Sequence, residues 1–232
     1  MPVLDQKVAL ITGAKGGLGG FVTEAFLDAG ATVVGVSRSI QVSDFPHPRF
    51  TAMPAELSNG NAARQLVDEV AAKLGRIDIL VHLVGAFDGG KPVHETDDAT
   101  LGRMLDINLK SAFYVARAAL PSMRNQGSGR ILAIGSRAAV EPSPGAGAYA
   151  ASKAALVSLI QTIASENKDR SITANVILPG TMDTPANRAS MPAADFSKWV
   201  QPAAVASLIT WLAGDAGKDV NGAVIPVYGG DF

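Results

Sequence analysis

A tyrosine and a lysine stand four positions apart, at Tyr149 and Lys153, in a segment whose pattern predicts a helix. Side chains at this spacing share one face of a helix. A phenol with a pKa near 10 is a weak acid–base catalyst at neutral pH. An ammonium about 4 Å away offers up to roughly 4 kcal/mol to the phenolate at an effective dielectric near 20. The pair is therefore predicted to lower the pKa of Tyr149 toward the range of general acid–base catalysis.

A glycine-rich turn gives a second chemical signal, Thr12-Gly-Ala-Lys-Gly-Gly-Leu-Gly19, between an apolar run and a helical pattern. Small residues let the backbone approach a pyrophosphate, and the N-terminus of the following helix supplies N–H groups and partial positive charge. The spacing matches neither the G-x-G-x-x-G pattern nor the G-x-x-x-x-G-K-S/T phosphate loop. By itself the turn fits either a nucleotide site or a tight strand–helix connection. Its place directly after the first apolar run favours the nucleotide site.

The elements that position these groups follow from an alternation of apolar runs with amphipathic segments. Strands are predicted over residues 8–12, 32–37, 50–53, 77–84, 130–134, 172–178 and 223–227, and helices over residues 21–29, 63–74, 97–123, 149–167 and 202–213. Continuous apolar strands separated by amphipathic helices are typical of a parallel sheet covered on both faces. The sequence therefore predicts an α/β fold, a single doubly wound domain over residues 1–232 with seven parallel strands.

Two segments break this alternation, residues 85–96 and about 181–201. Both follow predicted strands at the carboxyl edge of the sheet, where this architecture binds ligands. Long irregular loops at such an edge are usually functional. We therefore expect both segments to be functional.

The composition excludes several classes of protein. A net charge of −1 argues against a nucleic-acid or anionic-membrane surface, because both need a basic excess. Zero cysteines exclude disulfides, thiolate metal sites and cysteine nucleophiles, and no metal site is predicted. The sequence contains neither a signal-peptide pattern nor an uninterrupted apolar stretch of 18 residues. We therefore expect a cytoplasmic protein that acts on a small molecule, without nucleic acid or membrane as partner.

Taken together, the motifs resemble those of the short-chain dehydrogenase/reductase family. The turn has that family's spacing, Thr12-Gly13-x-x-x-Gly17-x-Gly19, and the helix carries its Tyr-x-x-x-Lys motif. Asn108, Ser136 and Asn175-x-x-x-Pro179-Gly180 follow the fourth, fifth and sixth predicted strands, as in the family. The resemblance covers essentially the whole chain. It implies a Rossmann-type fold and an NAD(P)-dependent oxidoreductase, in which a hydride moves between nicotinamide C4 and a substrate carbon.

The resemblance also implies roles for the matching residues. Tyr149 would give its proton to the substrate oxygen during reduction, and Ser136 would bind the substrate carbonyl. Lys153 would also hydrogen-bond the nicotinamide ribose, and Asn108 would anchor a water linked to Lys153. The implied cofactor-binding positions, besides Tyr149 and Lys153, are Gly13, Lys15, Gly17, Leu18, Gly19, Ser37, Arg38, Glu56, Leu57, Gly85, Pro179, Gly180 and Thr184.

The residue that ends the second strand bears on the choice of cofactor. A carboxylate there accepts the ribose 2′-OH of NAD, whereas a basic residue suits the 2′-phosphate of NADP. This chain has Ser37 at that position, followed by Arg38, with Lys15 in the glycine-rich turn. Two cations on one phosphate favour NADP(H) over NAD(H). The pair Glu56-Leu57 resembles the family's Asp–hydrophobic pair that contacts adenine, with Glu in place of Asp.

Two departures bear on the substrate. After the fourth strand the chain reads His82-Leu-Val-Gly85 where the family usually has Asn-Asn-Ala-Gly, and we interpret His82 as a satisfied, partly buried histidine rather than a base. The loop Gly85-Ala-Phe-Asp-Gly-Gly90 resembles that of dihydropteridine reductases, a branch of the same family. The segment from Asp183 to Trp199 is similar to that branch, nearly residue for residue over seventeen positions. This resemblance implies that the segment, about 181–201, caps the substrate pocket. An alternative interpretation is inherited packing, with Met191, Phe196 and Trp199 as apolar anchors.

Two features disagree with a plain transfer of that branch's activity. The branch generally uses NADH with an acidic residue at the end of the second strand, where this chain has Ser37-Arg38. It also reduces a quinonoid pterin with Tyr and Lys alone, whereas this chain keeps Ser136. The leading hypothesis is an NADP(H)-dependent oxidoreductase of small carbonyl, alcohol or pterin-like substrates. The alternatives are a dihydropteridine reductase proper and, from another class, a non-catalytic NADP-sensing protein.

The resemblance further implies a homodimer or homotetramer, formed through the helices that contain Asn108 and Tyr149. Apolar residues along those helices fit such an interface, although core packing would also use some of them. They are Phe113, Val115, Ala119, Leu156, Leu159 and Ile163.

Overall fold

A seven-stranded parallel sheet lies at the centre of the fold in the computed structural model, which describes residues 2–230. The strands are β1 (Val8–Thr12), β2 (Thr32–Ser37), β3 (Phe50–Pro54), β4 (Ile79–His82), β5 (Gly129–Ile134), β6 (Ile172–Pro179) and β7 (Val224–Val227). Their order is β3-β2-β1-β4-β5-β6-β7, and each neighbouring pair is parallel. The prediction of a doubly wound, seven-stranded parallel sheet is confirmed.

Helices cover both faces of this sheet. They are α1 (Gly19–Asp28), α2 (Gly60–Leu74), α3 (Asp98–Leu105), α4 (Ser111–Gln126), α5 (Gly147–Glu166), α6 (Pro185–Ser190) and α7 (Pro202–Ala213). One core contains Val67 of α2, Val115 of α4 and Leu156 of α5, and the other contains Phe26 of α1 and Ile209 of α7. Since both faces are covered, β1 and β6 are buried along their whole length and contain long apolar runs. Within residues 2–230, no helix is both long enough and apolar enough to cross a membrane.

The long helix predicted over residues 97–123 is interrupted in the structure. Between α3 and α4 lies one π-helical turn, Asp106–Lys110, which contains the predicted site residue Asn108. The apolar periodicity did not reveal this turn, because one extra residue per turn barely changes a pattern read over 27 positions. Single π turns inside α-helices occur frequently at functional sites.

The fourth strand is shorter than the apolar run 77–84 predicted. Ile77 is buried, but its backbone pairs with a side chain instead of a neighbouring strand. Its N–H donates to the Gln126 Oε1 at 3.2 Å, and its carbonyl accepts from the Gln126 Nε2 at 3.0 Å. The end of α4 thus supplies the hydrogen bonds that a ladder would otherwise provide.

Four of the six apolar residues offered for an interface between copies lie in the core instead. Val115, Ala119, Leu156 and Ile163 are all buried between the sheet and its helices. Phe113 is 42% exposed, with the Arg117 guanidinium 5.3 Å from its ring centre. Core packing therefore uses these four residues, as expected for some of the six, because helical periodicity alone does not distinguish the face that packs on the sheet from one that packs on a partner.

Candidate active site

The candidate site lies at the carboxyl edge of the sheet, where the strand order reverses between β1 and β4. Parallel strands all end at the same edge, so the segments that follow them converge there. The glycine-rich turn follows β1, Gly85 follows β4, Ser136 follows β5, and the pair Pro179-Gly180 ends β6. The first turns of α5 bring Tyr149 and its neighbours to the same place.

The glycine-rich turn has the shape that a dinucleotide requires. Gly13 has φ +76° and donates its N–H to the Val36 carbonyl at 2.8 Å, and a Cβ there would lie 3.0 Å from the Leu83 carbonyl carbon. At Gly19 a Cβ would collide with the Gly13 carbonyl, so the turn and α1 are in close contact. Leu18 precedes the helix and offers no side-chain cap. The Gly20 N–H donates to the Gly16 carbonyl at 3.2 Å. Because no side chain caps the N-terminus of α1, its remaining N–H groups and partial positive charge can face a pyrophosphate.

Around the end of β2 the structure places a cluster of polar groups. The Lys15 backbone N–H donates to the Ser37 hydroxyl at 3.1 Å, and its ammonium lies 2.9 Å from an Asp44 carboxylate oxygen and 3.2 Å from the Ser39 carbonyl. The Gln41 N–H, followed by Lys15, holds the pKa of Asp44 below its usual value. Asp44 was not predicted, and its distance along the chain from β2 gave no signal for it.

The other implied cofactor-binding residues after β2 and β3 differ in their exposure to solvent. Arg38 and Glu56 are exposed beyond the ends of β2 and β3. Leu57 is buried in the core together with α2, so its side chain packs inside the protein.

Tyr149 and Ser136 meet through their side chains. A hydrogen bond with the Ser136 hydroxyl favours the phenolate, but burial dominates and raises the pKa of Tyr149 above 10.0. The expected net lowering of this pKa was wrong, because desolvation of the phenolate outweighs the stabilising contact with Ser136. The Ser136 hydroxyl also accepts the Ala138 N–H at 3.2 Å, which fixes its side chain at the start of a short 3-10 turn.

Lys153 is directed toward the sheet and buried. Its ammonium donates to the Ile134 carbonyl at 2.8 Å, and burial lowers its pKa from 10.5 to about 8. A Cβ at Gly85 would lie 3.0 Å from the Lys153 Nζ. Lys153 therefore lies between the ends of β4 and β5, beside a glycine that leaves room for it.

The π turn directs Asn108 into the same region. Its Oδ1 accepts the Ala86 N–H at 2.9 Å, and its Nδ2 donates to the Ala86 carbonyl and the Ser152 hydroxyl, both at 3.0 Å. Asn108 thus ties α5 to the segment after β4. Ala86 and Ser152 were not predicted, although Ser152 directly precedes Lys153 on a helix and shares its neighbourhood.

His82 is satisfied, as predicted, but it is fully rather than partly buried. Its Nδ1 lies 2.9 Å from the Thr12 hydroxyl, and its Nε2 lies 3.2 Å from the Ser111 hydroxyl. Burial, followed by the charge of Lys153, lowers the pKa of His82 to about 3. The ring is therefore neutral throughout the physiological pH range.

The loop after β4 places the Phe87 ring against the Tyr149 ring. The Phe87 ring contacts the Tyr149 ring edge-on, with centroids 5.0 Å apart. An ion pair between Asp88 and Arg103 connects this loop to α3, and the Gly90 N–H donates to the Gly145 carbonyl at 2.8 Å. Phe87 is 66% exposed, which leaves its outer face available to a substrate.

The predicted capping segment, about 181–201, folds over the glycine-rich turn. Thr184 precedes α6 and caps its N-terminus, and it packs on Gly17, where a Cβ would lie 3.0 Å from the Thr184 Cγ2. The Asp183 carboxylate accepts two hydrogen bonds from Arg188, at 2.5 and 2.8 Å. Arg188 in turn lies 4.6 Å from the centre of the Phe196 ring. The segment is therefore held by its own contacts and by the nucleotide turn.

The proposed apolar anchors of this segment divide into two kinds. Trp199 is buried and its ring lies 4.7 Å from that of Phe196. Met191 is 40% exposed and is not a core residue. Packing therefore accounts for Trp199 but not for Met191.

Comparison with known proteins agrees with this geometry. The family model described as short chain dehydrogenase matches residues 7–195. A 3-oxoacyl-(acyl-carrier-protein) reductase of Thermotoga maritima is 31% identical over 250 residues, which cover 98% of this chain and 98% of the relative. A 2-dehydro-3-deoxy-D-gluconate 5-dehydrogenase of Pseudoalteromonas atlantica is 30% identical over 245 residues, which cover 98% and 96%.

Solved structures give the same result at the level of the fold. A short-chain dehydrogenase/reductase from Serratia marcescens is 31% identical and superposes with a TM-score of 0.90. The superposition covers 98% of each chain. The architecture of the chain is thus shared along its whole length with a dehydrogenase of known structure.

Proposed function

This chain belongs to the short-chain dehydrogenase family and is an oxidoreductase, and on that premise we propose that it transfers hydride between NADP(H) and a small carbonyl, alcohol or pterin-like substrate. One observation carries the proposal. The Ser136 hydroxyl is hydrogen-bonded to the hydroxyl of the partly buried Tyr149, on the helix that also carries the buried Lys153, beside the N-terminus of α1, which no side chain caps.

Each side chain has a role that follows from its surroundings. The nicotinamide, when bound, supplies the hydride. Tyr149 donates a proton to the substrate oxygen, and its raised pKa keeps that proton in place at neutral pH until the oxygen becomes basic. Ser136 donates a hydrogen bond to the same oxygen. Lys153, with a pKa of about 8, is mostly protonated at neutral pH and stabilises the phenolate that remains.

The preference for NADP(H) is supported by the groups at the end of β2. Lys15 and Arg38 supply two cations, and Ser37 replaces the carboxylate that would bind a ribose diol. Asp44 opposes this preference in part, because it lies against the Lys15 ammonium. We therefore propose NADP(H) as the preferred cofactor and NAD(H) as a weaker one.

The test is the oxidation of NADPH by the purified protein, with NADH in parallel. The acceptors are a panel of small ketones and aldehydes and quinonoid dihydropterin generated in situ. The expected result is turnover of at least one acceptor with NADPH faster than with NADH. Binding of NADPH without turnover of any acceptor would indicate a non-catalytic sensor and contradict the proposal.

Tyr149→Phe tests the assignment of the acid. Loss of a general acid lowers kcat by about 10²- to 10⁴-fold, while the NADPH Kd measured by fluorescence stays close to that of the wild type. Tyr114→Phe, on the partly buried Tyr114 of α4, is the matched control and should leave kcat unchanged. Wild-type turnover by Tyr149→Phe would remove Tyr149 from the mechanism.

A dihydropteridine reductase proper is the second candidate function. Two features favour it: the resemblance of the segment from Asp183 to Trp199 to that branch and the Phe87 ring against Tyr149. Fast, selective reduction of quinonoid dihydropterin would support it. No turnover of the pterin above the non-enzymatic rate, together with ketone reduction, would leave the capping segment as inherited packing.

We also propose that the protein forms a homodimer or homotetramer. The exposed side chains that support this are Leu101 on α3 and Phe113 on α4, on either side of the π turn. Light scattering after size-exclusion chromatography measures the mass directly. A monomer at micromolar concentration would contradict this proposal without affecting the proposed chemistry.

A further inference from the structure

The π turn that directs Asn108 into the site leaves one helical carbonyl without its usual donor. In an α-helix the Ser111 N–H would donate to the Ile107 carbonyl, four residues earlier. Here it donates to the Asp106 carbonyl instead. The Ser111 hydroxyl replaces the lost bond and donates to the Ile107 carbonyl at 2.5 Å. A side chain therefore closes the turn where the backbone does not.

The Ser111 hydroxyl has one hydrogen, so this bond determines what its second contact can be. Its oxygen lies 3.2 Å from the His82 Nε2 and must accept there, which requires a hydrogen on Nε2. In a neutral imidazole the other nitrogen is then an acceptor. The His82 Nδ1 accordingly accepts from the Thr12 hydroxyl at 2.9 Å. The contacts thus define a single tautomer.

These contacts join the two halves of the site. Thr12 ends β1 and begins the glycine-rich turn, whereas Ser111 begins α4 directly after the π turn. His82, at the end of β4, spans the space between them and is 2% exposed. On the far side of the π turn, Asn108 binds the Ala86 backbone through two hydrogen bonds.

We propose that His82 is a positioning residue of the active site. As the neutral imidazole with hydrogen on Nε2, it holds the Ser111 hydroxyl on the Ile107 carbonyl and so stabilises the π turn that presents Asn108. Through Nδ1 it connects this turn to Thr12 at the nucleotide site. The consequence for turnover rests on the proposed function, whereas the tautomer and the stability of the turn do not.

The tautomer is tested on the wild-type protein by long-range proton–nitrogen NMR correlations of the histidine rings at neutral pH. The chain has three histidines, and the set of signals missing from His82→Gln identifies the ring of interest. The expected result is a protonated Nε2 and an unprotonated Nδ1. A hydrogen on Nδ1 alone, or on both nitrogens, would overturn the proposal.

The stability of the turn is tested by hydrogen exchange of the backbone amides in residues 106–111. His82→Leu replaces the imidazole by an apolar side chain of similar bulk and removes both hydrogen bonds. The exchange rate of the amides in residues 106–111 is expected to rise by about tenfold or more. His82→Gln retains one donor and one acceptor and should restore most of the protection. Native-like exchange in His82→Leu would contradict the proposal.

Thr23→Val is the matched control for these variants. Thr23 is as deeply buried as His82, but within residues 2–230 its hydroxyl has no hydrogen-bond partner. Its replacement should leave exchange in residues 106–111 unchanged. If His82→Leu does not fold, Ser111→Ala takes its place, since it removes the bridging hydroxyl and is expected to raise exchange in the same residues. Unchanged exchange in a folded Ser111→Ala would equally overturn the proposal.

Turnover provides a readout that separates positioning from mere packing. Displacement of Asn108 is expected to lower kcat by about 10- to 100-fold in His82→Leu, with substantial recovery in His82→Gln. A folded His82→Leu with wild-type kcat would refute the positioning role. If the wild type itself turns over no acceptor, the proposed function fails while the tautomer and exchange results still decide the arrangement of the turn.

Discussion

Gly85→Ala is expected to lower both turnover and stability, because Gly85 lies against two side chains of the proposed site. A Cβ there would lie 3.0 Å from the Lys153 Nζ and 3.1 Å from the Asn108 Oδ1. Both atoms are held in place. Lys153 donates to the Ile134 carbonyl at 2.8 Å, and the Asn108 Oδ1 accepts from the Ala86 N–H at 2.9 Å.

The size of the effect follows from this crowding. Contacts this close require the neighbours to move by a few tenths of an ångström, and overpacking of a fitted site costs about 1–3 kcal/mol. In a chain of this size each kcal/mol lowers the Tm by about 2–4 °C, so a decrease of about 2–12 °C is expected. Displacing Lys153 and Asn108 together should lower kcat by about 10- to 100-fold.

The assay compares thermal unfolding, kcat and the NADPH Kd with those of Gly102→Ala. Gly102 is also a glycine with negative φ, it lies in α3, and a Cβ there would meet nothing within 4 Å. The control should therefore gain about 0.4–1 kcal/mol of stability from reduced freedom of the unfolded chain, with kcat unchanged. A Gly85→Ala variant with wild-type Tm and kcat would refute the reasoning from close contact.

Four further predictions concern charge. Asp44→Asn should lower the Kd for NADPH relative to that for NADH, because it removes the carboxylate beside Lys15. Fluorescence titrations measure both constants. An unchanged ratio would contradict the role of Lys15 in binding the 2′-phosphate. The kcat/KM for reduction should fall as the pH rises through about 8, where Lys153 loses its charge; a flat profile to pH 10 would contradict this. Burial lowers the pKa of Lys153 from 10.5 to about 8, so between these pH values the unfolded chain binds more protons than the folded protein. The destabilisation caused by burying this ammonium therefore decreases as the pH rises from about 8 to 10.5. The Tm of the wild type should rise over this range relative to that of Lys153→Met. Asp183→Asn should raise the hydrogen-exchange rate of the α6 amides, because it weakens the contact between residue 183 and Arg188. In the wild type this contact should persist until the pH falls through about 2, the pKa of Asp183.

The sheet and the nucleotide turn could be predicted from the sequence because their causes are local or repetitive. A strand covered on both faces must be apolar along its length, as β1 is, so the parallel sheet leaves a visible pattern. A turn that needs Gly13 at φ +76° and Gly19 against the Gly13 carbonyl leaves its glycines in order. The spacing of Tyr149 and Lys153 likewise follows from helical geometry.

The tertiary structure decided which environment each of these residues has. Helical spacing places Tyr149 and Lys153 on one face, but the burial of the phenol, which depends on segments far along the chain, sets the direction of its pKa shift. Asp44 reaches Lys15 only through the fold of the segment after β2. Periodicity likewise could not show whether Val115 faces a partner or the sheet.

The π turn illustrates the same division most clearly. The sequence contains Asn108 and His82, and their residue types indicate polar contacts. The contact of His82 with the Ser111 hydroxyl that closes the turn depends on β1, β4 and α4 meeting at one edge, since hydrogen bonds between residues 29 positions apart leave no periodic trace. Local pattern thus determined the elements and the residue types, and the meeting of distant segments determined charge, hydrogen bonding and position.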